Sequence, residues 1–274
     1  MRGDMHVHSV YSDGLFSPYA IAERAKRAGL AFFSITDHDS MEGAEEKQRA
    51  ALEFGLSFVH GWEISAYEDV KIHVLGYGCA RNGAYTDFLE ARKESGIARA
   101  LDMVGRGNEI FKTNVRFSDV EKERLKKDAP VHTMHVVRAF SKQTGKSVGE
   151  LYEGYFQKGK PAYSGLMRPS PVQAIDVIHK TGGIAVLAHP GRIQKTEKEK
   201  EALISRLVSA GLDGIECVYT THTQRETEYF QSLACAHRLL QTGGSDFHFD
   251  DGKVQIGSPF FEASHALMER LKLR

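Results

Sequence analysis

Short apolar runs alternate with amphipathic stretches over the first 80 residues, a pattern typical of strands followed by helices. Ser17-Pro18 opens one amphipathic stretch as a serine N-cap with proline at the first helical position, and Gly29 ends it. The pattern predicts helices over residues 18–28 and 41–54, and strands over residues 5–10, 31–35, 56–60 and 70–77.

The alternation stops between residues 81 and 160, which contain no clear strand and are rich in Lys, Arg and Glu. Helical spacing recurs there around 86–104, 118–127 and 135–143. After Pro161 the pattern predicts strands over 184–188, 213–218 and 238–243, and helices over 171–180, 197–209 and 223–236. We therefore predict an α/β domain made of residues 1–80 and 161–274, with a mainly helical insertion at 81–160. The alternation indicates a mainly parallel sheet, either open or closed into a barrel.

Composition excludes several classes of protein. The chain has 274 residues, of which 41% are hydrophobic and 26% charged, as in ordinary globular proteins. Lys+Arg and Asp+Glu both total 36, so the formal charge is 36 − 36 = 0, which argues against bulk attraction for nucleic acid. The three scattered cysteines predict a reducing, cytoplasmic setting, and no apolar run has the length of a signal peptide or a membrane span.

Histidine is unusually frequent, with 13 copies, and many of them lie on or just after predicted strands together with carboxylates. His6 and His8 are two residues apart on a strand, so their side chains share a face. The other residues of this kind are Asp13, Asp37, His38, Asp39, Glu63, His73, His189, Asp246 and His248. Because ligands collect at the carboxyl ends of parallel strands, this recurrence predicts a site for several cations. Nitrogen and oxygen donors without thiolates suit manganese, iron or zinc and disfavour a structural zinc site.

Each of these residues also has an ordinary interpretation when it is taken alone. His73 could be a hydrogen-bonded core histidine, and Asp37-His38 could be a loop pair. Their joint occurrence favours metal binding. The contexts of His60, His179, His237 and His265 indicate structural roles, and that of His132 is undecided.

Seven segments of the chain resemble, in order and spacing, the PHP (polymerase and histidinol phosphatase) phosphoesterases, in particular their nucleotide-phosphatase-like branch. The segments are HVHSVYSDG, FSITDHDSMEG, GWEIS, IHVLGYG, GKPAY, GGIAVLAHPGR and GGSDFH. The resemblance implies an α/β fold, a distorted seven-stranded (β/α)7 barrel with an inserted, mainly helical small domain. It also implies two to three divalent metal ions (Mn, Fe or Zn) in a trinuclear centre.

The resemblance assigns the cation ligands residue by residue. The first set is His6, His8, Glu63 and Asp246; the second is Glu63, His73 and His189; the third is Asp13, His38 and His248.

The resemblance also points to substrate-binding residues. The family's insertion often carries an Arg-Pro-His phosphate clamp, which corresponds here to Thr133-Met134-His135, with Arg138 one turn later. The missing clamp arginine removes one cationic contact, which disfavours a substrate with two separate phosphates and leaves a monoester or a cyclic diester. Lys160 and Arg192 are further candidates for contact with the substrate, and each could equally be a surface charge.

The expected chemistry is attack on phosphorus by a metal-activated hydroxide. Asp246 is the candidate proton acceptor, although neighbouring cations make a carboxylate a poor base. His222 is the candidate proton donor to the leaving group, with metal-bound water as the alternative.

Together these features predict a metal-dependent phosphoesterase acting on a small phosphorylated metabolite, a nucleotide or sugar phosphate. The alternatives are a DNA-polymerase-associated accessory or proofreading module, a non-catalytic metal-binding scaffold, a histidinol phosphatase and an amide hydrolase. The absence of a basic stripe disfavours the first, and the intact ligand set disfavours the second. The insertion and GKPAY disfavour histidinol phosphate, and His135 and Arg138 favour an anionic substrate over an amide. We expect no stable nucleic-acid complex, and the sequence does not indicate an oligomeric state.

Overall fold

Seven β-strands form a single sheet in which neighbours follow the order of the chain. The computed structural model describes residues 1–127, 130–165, 168–250 and 252–273. The strands are β1 (Gly3–Val7), β2 (Phe32–Ile35), β3 (Ser57–Tyr67), β4 (Lys71–Tyr77), β5 (Ile184–Leu187), β6 (Gly214–Tyr219) and β7 (Leu240–Gly244). Strands β1 to β3 are parallel to one another, as are β5 to β7, whereas β4 is antiparallel to both of its neighbours.

The two edges of this sheet meet and nearly close it into a barrel. The residues after β7 pair with β1 through a parallel bridge between Val7 and Phe247. Asp246 donates its backbone N–H to the carbonyl of His6 at 2.7 Å, and His8 donates to the carbonyl of Phe247 at 2.9 Å. The predicted α/β fold with a seven-stranded barrel is therefore confirmed, and the question of an open or closed sheet is answered in favour of closure.

Helices precede or follow the strands, and several begin with side-chain caps that the sequence indicates. They are α1 (Pro18–Arg27), α2 (Ala44–Glu53), α3 (Gly83–Phe111), α4 (Phe117–Lys122), α5 (Thr133–Thr144), α6 (Val148–Leu151), α7 (Pro171–Lys180), α8 (Glu197–Ser209), α9 (Gln224–Ala236) and α10 (His265–Arg270). A π-helical turn (Tyr152–Phe156) follows α6, and a 3-10 turn (Pro190–Arg192) follows β5. Ser17 caps α1 by accepting from the N–H of Ala20, as its position predicts. No helix in the described ranges is both long and apolar enough to cross a membrane.

Between β4 and β5 the described elements are all helical. Buried apolar side chains from the second half of α3 to the π-helical turn, among them Met103, Phe140 and Phe156, form a hydrophobic cluster of their own, whereas α7 packs against the strands. The bounds 81–160 for an inserted domain stay a prediction.

The hairpin of β3 and β4 corrects one part of the sequence interpretation. The sequence predicts a strand over 56–60, but β3 continues to Tyr67 and pairs residue by residue with β4, from Gly61 opposite Tyr77 to Tyr67 opposite Lys71. This pairing satisfies the backbone of both segments. Glu63 therefore lies inside an antiparallel hairpin and not after the end of a parallel strand, whereas His73 lies within a strand, as predicted.

Candidate metal centre

Four side chains from three parts of the barrel point donor atoms at one another. The Nε2 atoms of His6 and His8 are 3.2 Å apart. Asp246 Oδ1 lies 3.3 Å and 3.1 Å from these two atoms, and Glu63 Oε1 lies 3.4 Å from that of His6. Ligands about 2.1 Å from a shared cation lie roughly 3.0–3.4 Å from each other, so these atoms are spaced like a coordination shell.

A second group surrounds the other side of Glu63. His73 Nδ1 lies 2.6 Å from Glu63 Oε1, and His38 Nδ1 lies 2.8 Å from Oε2. His189, which directly follows the β5 region, brings its Nε2 to 3.0 Å from Oε1. Both oxygens of one buried carboxylate are thus used by two adjacent groups, as expected of a bridging ligand.

A third group lies beyond His8. His248 Nε2 is 3.3 Å from Asp13 Oδ1, and His8 Nδ1 is 3.9 Å from the same oxygen. The rings of His8 and His248 stack with centroids 4.0 Å apart, and His38 lies close to both, with its centroid 4.4 Å from that of His8. These four side chains offer ligand atoms that lie within 4.8 Å of one another.

The nine predicted ligand residues therefore all lie in one region, although their grouping differs from the expected sets. The three geometric groups are His6-His8-Glu63-Asp246, His38-Glu63-His73 and His8-Asp13-His38-His248. His8 and His38 each take part in two groups. His189 belongs to none of them but contacts Glu63. The number of ions and their division among these residues stay predictions.

The donor atoms of this region fit divalent cations. Among the described residues, five of these atoms are buried and make no hydrogen bond of acceptable geometry, although two pairs of neighbouring donor atoms lie close together: Asp13 Oδ1, His38 Nδ1, Glu63 Oε2, His73 Nε2 and His189 Nδ1. Buried polar atoms are nearly always hydrogen-bonded, so several unpaired donor atoms in one cluster fit the binding of cations. Imidazole and carboxylate donors are the set that manganese, iron and zinc accept.

Electrostatics keeps the carboxylates of this centre ionised. Burial alone would raise the pKa of Glu63, but the charges of His73, His38 and His6 outweigh it and hold that pKa well below its usual range. Burial alone would likewise raise the pKa of Asp246, but the charges of His6 and His248 outweigh burial and hold this pKa well below its usual range. In the cation-free protein, burial alone would lower the pKa of His8. The ionised carboxylates of Asp246 and Glu63 outweigh burial and raise this pKa to about 10.

Backbone strain accompanies the site. Asp39, His189 and Asp246 have positive φ values of 53°, 27° and 56°. Residues other than glycine adopt this region at a cost of about 1–3 kcal/mol, and such residues cluster at functional sites. His189 and Asp246 both lie where the chain has just left a strand, β5 and β7 respectively.

Glu216 on β6 supports the centre and was not among the predicted site residues. It is fully buried, its Oε1 lies 2.9 Å from His6 Nδ1, and its Oε2 accepts the backbone N–H of His189 at 2.7 Å. A carboxylate on the second nitrogen of a ligand histidine fixes its tautomer and raises its basicity. The signal in the sequence was one acidic residue within the apolar strand DGIECV.

Asp37 supports the centre from outside the three groups. It accepts hydrogen bonds from the N–H and Oγ of Ser9 and from Ser12 Oγ, each at 2.7 Å, and pairs with buried Lys47 at 2.6 Å. These bonds hold the loop between His8 and Asp13. They also explain why β1 ends at Val7 and not at residue 10, because Ser9 has already turned away to Asp37.

Two predicted substrate residues on α5 contact the same loop. His135 Nε2 lies 3.0 Å from the carbonyl of Ser12, and Arg138 Nη2 donates to the carbonyl of Asp13 at 2.8 Å. His135 Nδ1 also accepts the N–H of His132, and burial lowers its pKa to about 4. His135 is therefore neutral, whereas Arg138 retains further N–H donors for a ligand.

The remaining predicted residues occupy different positions. Arg192 lies 3.3 Å from Asp246 Oδ2 and 3.0 Å from the hydroxyl of Tyr219. His222 is engaged at both ring nitrogens, by the carbonyl of Cys217 at 2.9 Å and the N–H of Gly191 at 3.1 Å. Lys160 is exposed and makes no side-chain hydrogen bond or ion pair among the residues described. Their roles toward substrate stay predictions, and the geometry favours Arg192.

A cluster of histidines and carboxylates inside a seven-stranded α/β barrel defines the class of metal-dependent hydrolases. The model of the PHP domain matches residues 4–169, so the chain belongs to the PHP domain family. It is a phosphoesterase of that family, as the motifs predicted.

Relatives of known name extend over nearly the whole chain. A 5'-3' exoribonuclease from Haemophilus influenzae is 31% identical over 258 residues, 93% of this chain and 92% of the relative. A phosphoribosyl 1,2-cyclic phosphate 1,2-diphosphodiesterase from Eggerthella lenta is 29% identical over 93% of this chain and 97% of its own. A 3',5'-nucleoside bisphosphate phosphatase from Chromobacterium violaceum is 30% identical over 89% of this chain and 86% of its own.

Solved structures share the same fold. A Chromobacterium violaceum protein described as an amidohydrolase, with bound sulfate and no metal, has a TM-score of 0.88 and 26% identity, and the match covers 99% of this chain and 96% of that one. A Bifidobacterium adolescentis protein described as a candidate metal-dependent phosphoesterase has a TM-score of 0.87 and 26% identity, covering 98% and 94%.

Proposed function

We propose that this protein hydrolyses a small nucleotide-like phosphate ester, a monoester or a cyclic diester, at a centre that holds three divalent cations. The observation that carries this proposal is the convergence of three groups of buried ligand atoms that share Glu63, His8 and His38. The names of the relatives agree in one respect, since a nucleoside bisphosphate and a phosphoribosyl cyclic phosphate are both small phosphorylated nucleotides or sugars.

Bound divalent cations would supply Lewis-acid activation of water and neutralise charge on the phosphoryl oxygens. The protein fixes where this occurs. Glu63 orients two adjacent groups through its two oxygens, and Glu216 orients His6 from behind. Because these side chains are buried and held by partners, they need no rearrangement when charge develops on the substrate.

Asp246 connects this centre with the side where substrate can enter. Its Oδ2 accepts from the hydroxyl of Tyr219 at 2.8 Å and lies 3.3 Å from Arg192, while its Oδ1 faces His6 and His8. Its lowered pKa makes Asp246 a weak base, so we assign it first to holding a cation and second to accepting a proton. The side chain of Arg192 is 56% exposed, and its free N–H groups can bind a phosphoryl oxygen.

His222 is less suited to donate a proton to the leaving group. Its Nδ1 must carry a proton to bond the carbonyl of Cys217, and its Nε2 must be unprotonated to accept from Gly191. We therefore assign His222 to positioning the turn at Pro190–Arg192, next to His189.

A substrate panel tests the proposed reaction. Full-length protein loaded with manganese would be assayed for phosphate release from nucleoside monophosphates, bisphosphates and cyclic phosphates. We expect turnover of at least one small ester and loss of activity after chelation. Turnover that survives complete removal of the cations would contradict the proposal.

Variants of the centre test the assignment of residues. We expect Asp246→Asn and His38→Ala each to lower turnover by more than roughly 100-fold, because even outer partners of metal ligands often contribute 10–100-fold. Asp250→Asn and His265→Ala are matched controls, since both side chains are exposed and lie outside the three groups. Wild-type turnover and metal content in both centre variants would refute the site.

Hydrolysis at the 5' end of RNA is a second candidate function. The Haemophilus influenzae relative is named as an exoribonuclease acting in that direction. A 5'-phosphorylated oligoribonucleotide therefore belongs in the same panel, with release of mononucleotides as the readout. A catalytic efficiency above that of every small ester would favour this candidate and replace the expectation of a small-molecule substrate.

A further inference from the structure

Asp39 is one of the polar residues that follow the predicted strands, but it belongs to none of the three ligand groups. It directly follows the candidate ligand His38, its side chain is buried, and its φ of 53° is strained for a residue other than glycine. A buried and strained carboxylate outside the ligand groups calls for a different role, and its contacts with β3 and α3 indicate one.

Asp39 joins the segment after β2 to β3 on both sides of the metal ligands. Its backbone N–H donates to the carbonyl of Glu63 at 2.8 Å, and its Oδ1 accepts the backbone N–H of Ser65 at 2.8 Å. Asp37, on the other side of His38, accepts the backbone N–H of Glu63 at 3.1 Å. His38 and Glu63, which form a parallel bridge, are therefore held between these bonds, and each takes part in two ligand groups.

The other oxygen of the Asp39 carboxylate binds Arg92 on α3. Arg92 is 5% exposed and donates from Nη2 to Asp39 Oδ2 at 3.2 Å. Its Nη1 donates to the hydroxyl of Ser95 at 3.1 Å, about one turn further along the helix. The guanidinium group is therefore fixed between its own helix and the carboxylate. In a buried pair of this kind, removal of one partner leaves the other charge uncompensated.

Helix α3 and the residue before it also contact this segment further from the ligands. The hydroxyl of Tyr85 donates to Glu42 Oε1 at 3.0 Å, and Arg81 pairs with the same oxygen at 2.7 Å. The Arg81 side chain is 45% exposed, and Glu42 lies four residues after His38. The pair formed by Arg92 is buried and adjacent to His38, so it is the contact from α3 that can determine where this ligand lies.

We propose that Arg92 is a positioning residue of the metal centre, which acts through Asp39 to fix His38 and Glu63 in the arrangement that binds cations. This inference rests on the proposed function, because it concerns ligands of the proposed centre. The ion pair acts on two shared ligand residues without contacting a cation or the substrate. Helix α3 is thereby part of the centre, although it contributes no residue to the three ligand groups.

Binding of manganese measures this role independently of turnover. Full-length wild-type protein, Arg92→Met and Arg92→Lys would be titrated with manganese by calorimetry after chelation. We expect Arg92→Met to bind manganese roughly tenfold or more weakly, because loss of an outer partner of a metal ligand often costs 10–100-fold in affinity. Arg92→Lys should recover part of this loss, since it keeps the charge but not the planar fork. Arg81→Met is the matched control and should bind like wild type, because Arg81 pairs with the same segment at an exposed position.

Asp39→Asn tests whether Arg92 acts through Asp39. The amide keeps an oxygen for the N–H of Ser65 but removes the charge that pairs with Arg92, so we expect this variant also to bind manganese more weakly. The double variant of Arg92→Met and Asp39→Asn should bind no more weakly than the weaker single variant, because losses within one pair are not additive. Fully additive losses would contradict the inference, since Arg92 would then act by another route.

Kinetics of the manganese-saturated enzyme separate positioning from direct binding of substrate. On an ester that the wild type hydrolyses, we expect Arg92→Met to lower kcat roughly tenfold or more and to leave KM close to that of wild type. A raised KM with wild-type kcat and wild-type affinity for manganese would show that Arg92 contacts the substrate, and would overturn the inference.

Thermal unfolding of the cation-free variants controls for a general loss of stability. A lower Tm in Arg92→Met together with wild-type affinity for manganese would overturn the inference, because Arg92 would then stabilise the fold alone. If Arg92→Met does not fold, the manganese affinities of Arg92→Lys and Asp39→Asn decide the question. Wild-type protein that binds no manganese would refute the proposed function itself, whereas equal affinities in a manganese-binding wild type and its variants would refute only the role of Arg92.

Discussion

At the scale of single residues, the centre depends on carboxylates that lie behind its ligands. Glu216 contacts both His6 and the backbone of His189, so one buried side chain positions two ligand residues from β1 and from the turn after β5. Without the Glu216 side chain, His6 would lose the acceptor that fixes its proton on Nδ1 and leaves Nε2 for a cation.

We expect Glu216→Gln to weaken binding of manganese by roughly 10–100-fold, because the neutral amide no longer raises the basicity of His6. Metal titration of the variant, compared with Glu228→Gln on the exposed face of α9, would measure this effect. Equal affinities in Glu216→Gln and wild type would show that His6 is oriented by other contacts.

The residue scale also shows what sequence alone could reach. The clustering of the nine candidate ligand residues was predictable because each is polar at the edge of, or inside, an apolar segment, and because their motifs are specific. Glu216 and Lys47 were not, because their partners are distant in sequence: His6 is 210 residues from Glu216.

At the scale of elements, α2 contributes to the centre through one buried ion pair. Lys47 on α2 is 2% exposed and pairs with Asp37, which in turn holds Ser9 and Ser12 in the loop after β1. Burial alone would raise the pKa of Asp37, but the charge of Lys47 outweighs burial, so the pKa of Asp37 is lowered.

We expect Lys47→Met to lower the free energy of unfolding by about 3–5 kcal/mol, because it leaves the Asp37 carboxylate buried and unpaired. Lys47→Met combined with Asp37→Asn should recover part of this loss. Because the folded pKa of Asp37 is lowered, the stability it provides is present above the unfolded pKa of about 3.9 and is lost as pH falls. Denaturant unfolding at neutral and acidic pH would measure the loss in Lys47→Met and its dependence on pH. A difference in unfolding free energy between wild type and Lys47→Met that grows on acidification would contradict this account.

Helix α5 is a second element whose placement affects the site. Arg138 donates to the carbonyl of Asp13, so it fixes the loop that carries a candidate ligand and can also reach substrate. We expect Arg138→Ala to raise KM and to lower metal occupancy moderately, and Arg138→Lys to restore occupancy more than KM, because lysine lacks the planar fork. Measuring the metal content of each variant together with its KM separates an effect on metal occupancy from an effect on substrate binding. Wild-type occupancy in Arg138→Ala would leave substrate binding as its role.

Most helices were predictable because their caps and spacing are local features. The hairpin was not, because GWEIS contains no turn signal of its own and becomes a strand only by pairing with residues 71–77. The fold class followed from the alternation and the motifs, whereas the direction of β4 depends on this tertiary pairing.

At the scale of the whole molecule, cations and folding are coupled. The centre draws ligands from β1, β3, β4 and the segments after β2, β5 and β7, so a bound ion links most of the barrel. Ions that bind only the folded chain stabilise it by about 4 kcal/mol at 1,000 times Kd. We expect manganese to raise Tm and chelation to reverse the rise. A Tm that does not depend on manganese concentration would argue against a resident ion.

This coupling should depend on pH. In the cation-free protein the ionised carboxylates outweigh burial and raise the pKa of His6 and His8, the latter to about 10, so an ion binding at neutral pH must displace protons. Affinity for manganese should therefore increase as pH rises from about 6.5 to about 8.5. Calorimetry in buffers of different ionisation enthalpy would detect the released protons, and an affinity that is constant over this range would contradict the expectation.

The seam between β1 and the segment after β7 has a consequence during protein synthesis. His6 and His8 leave the ribosome first, whereas Asp246 and His248 emerge more than 230 residues later, and the seam joins them. A nascent chain therefore cannot assemble two of the three ligand groups until translation is almost finished. We expect fragments that end before Asp246 to lack two of the three ligand groups and therefore to bind fewer cations than the full chain.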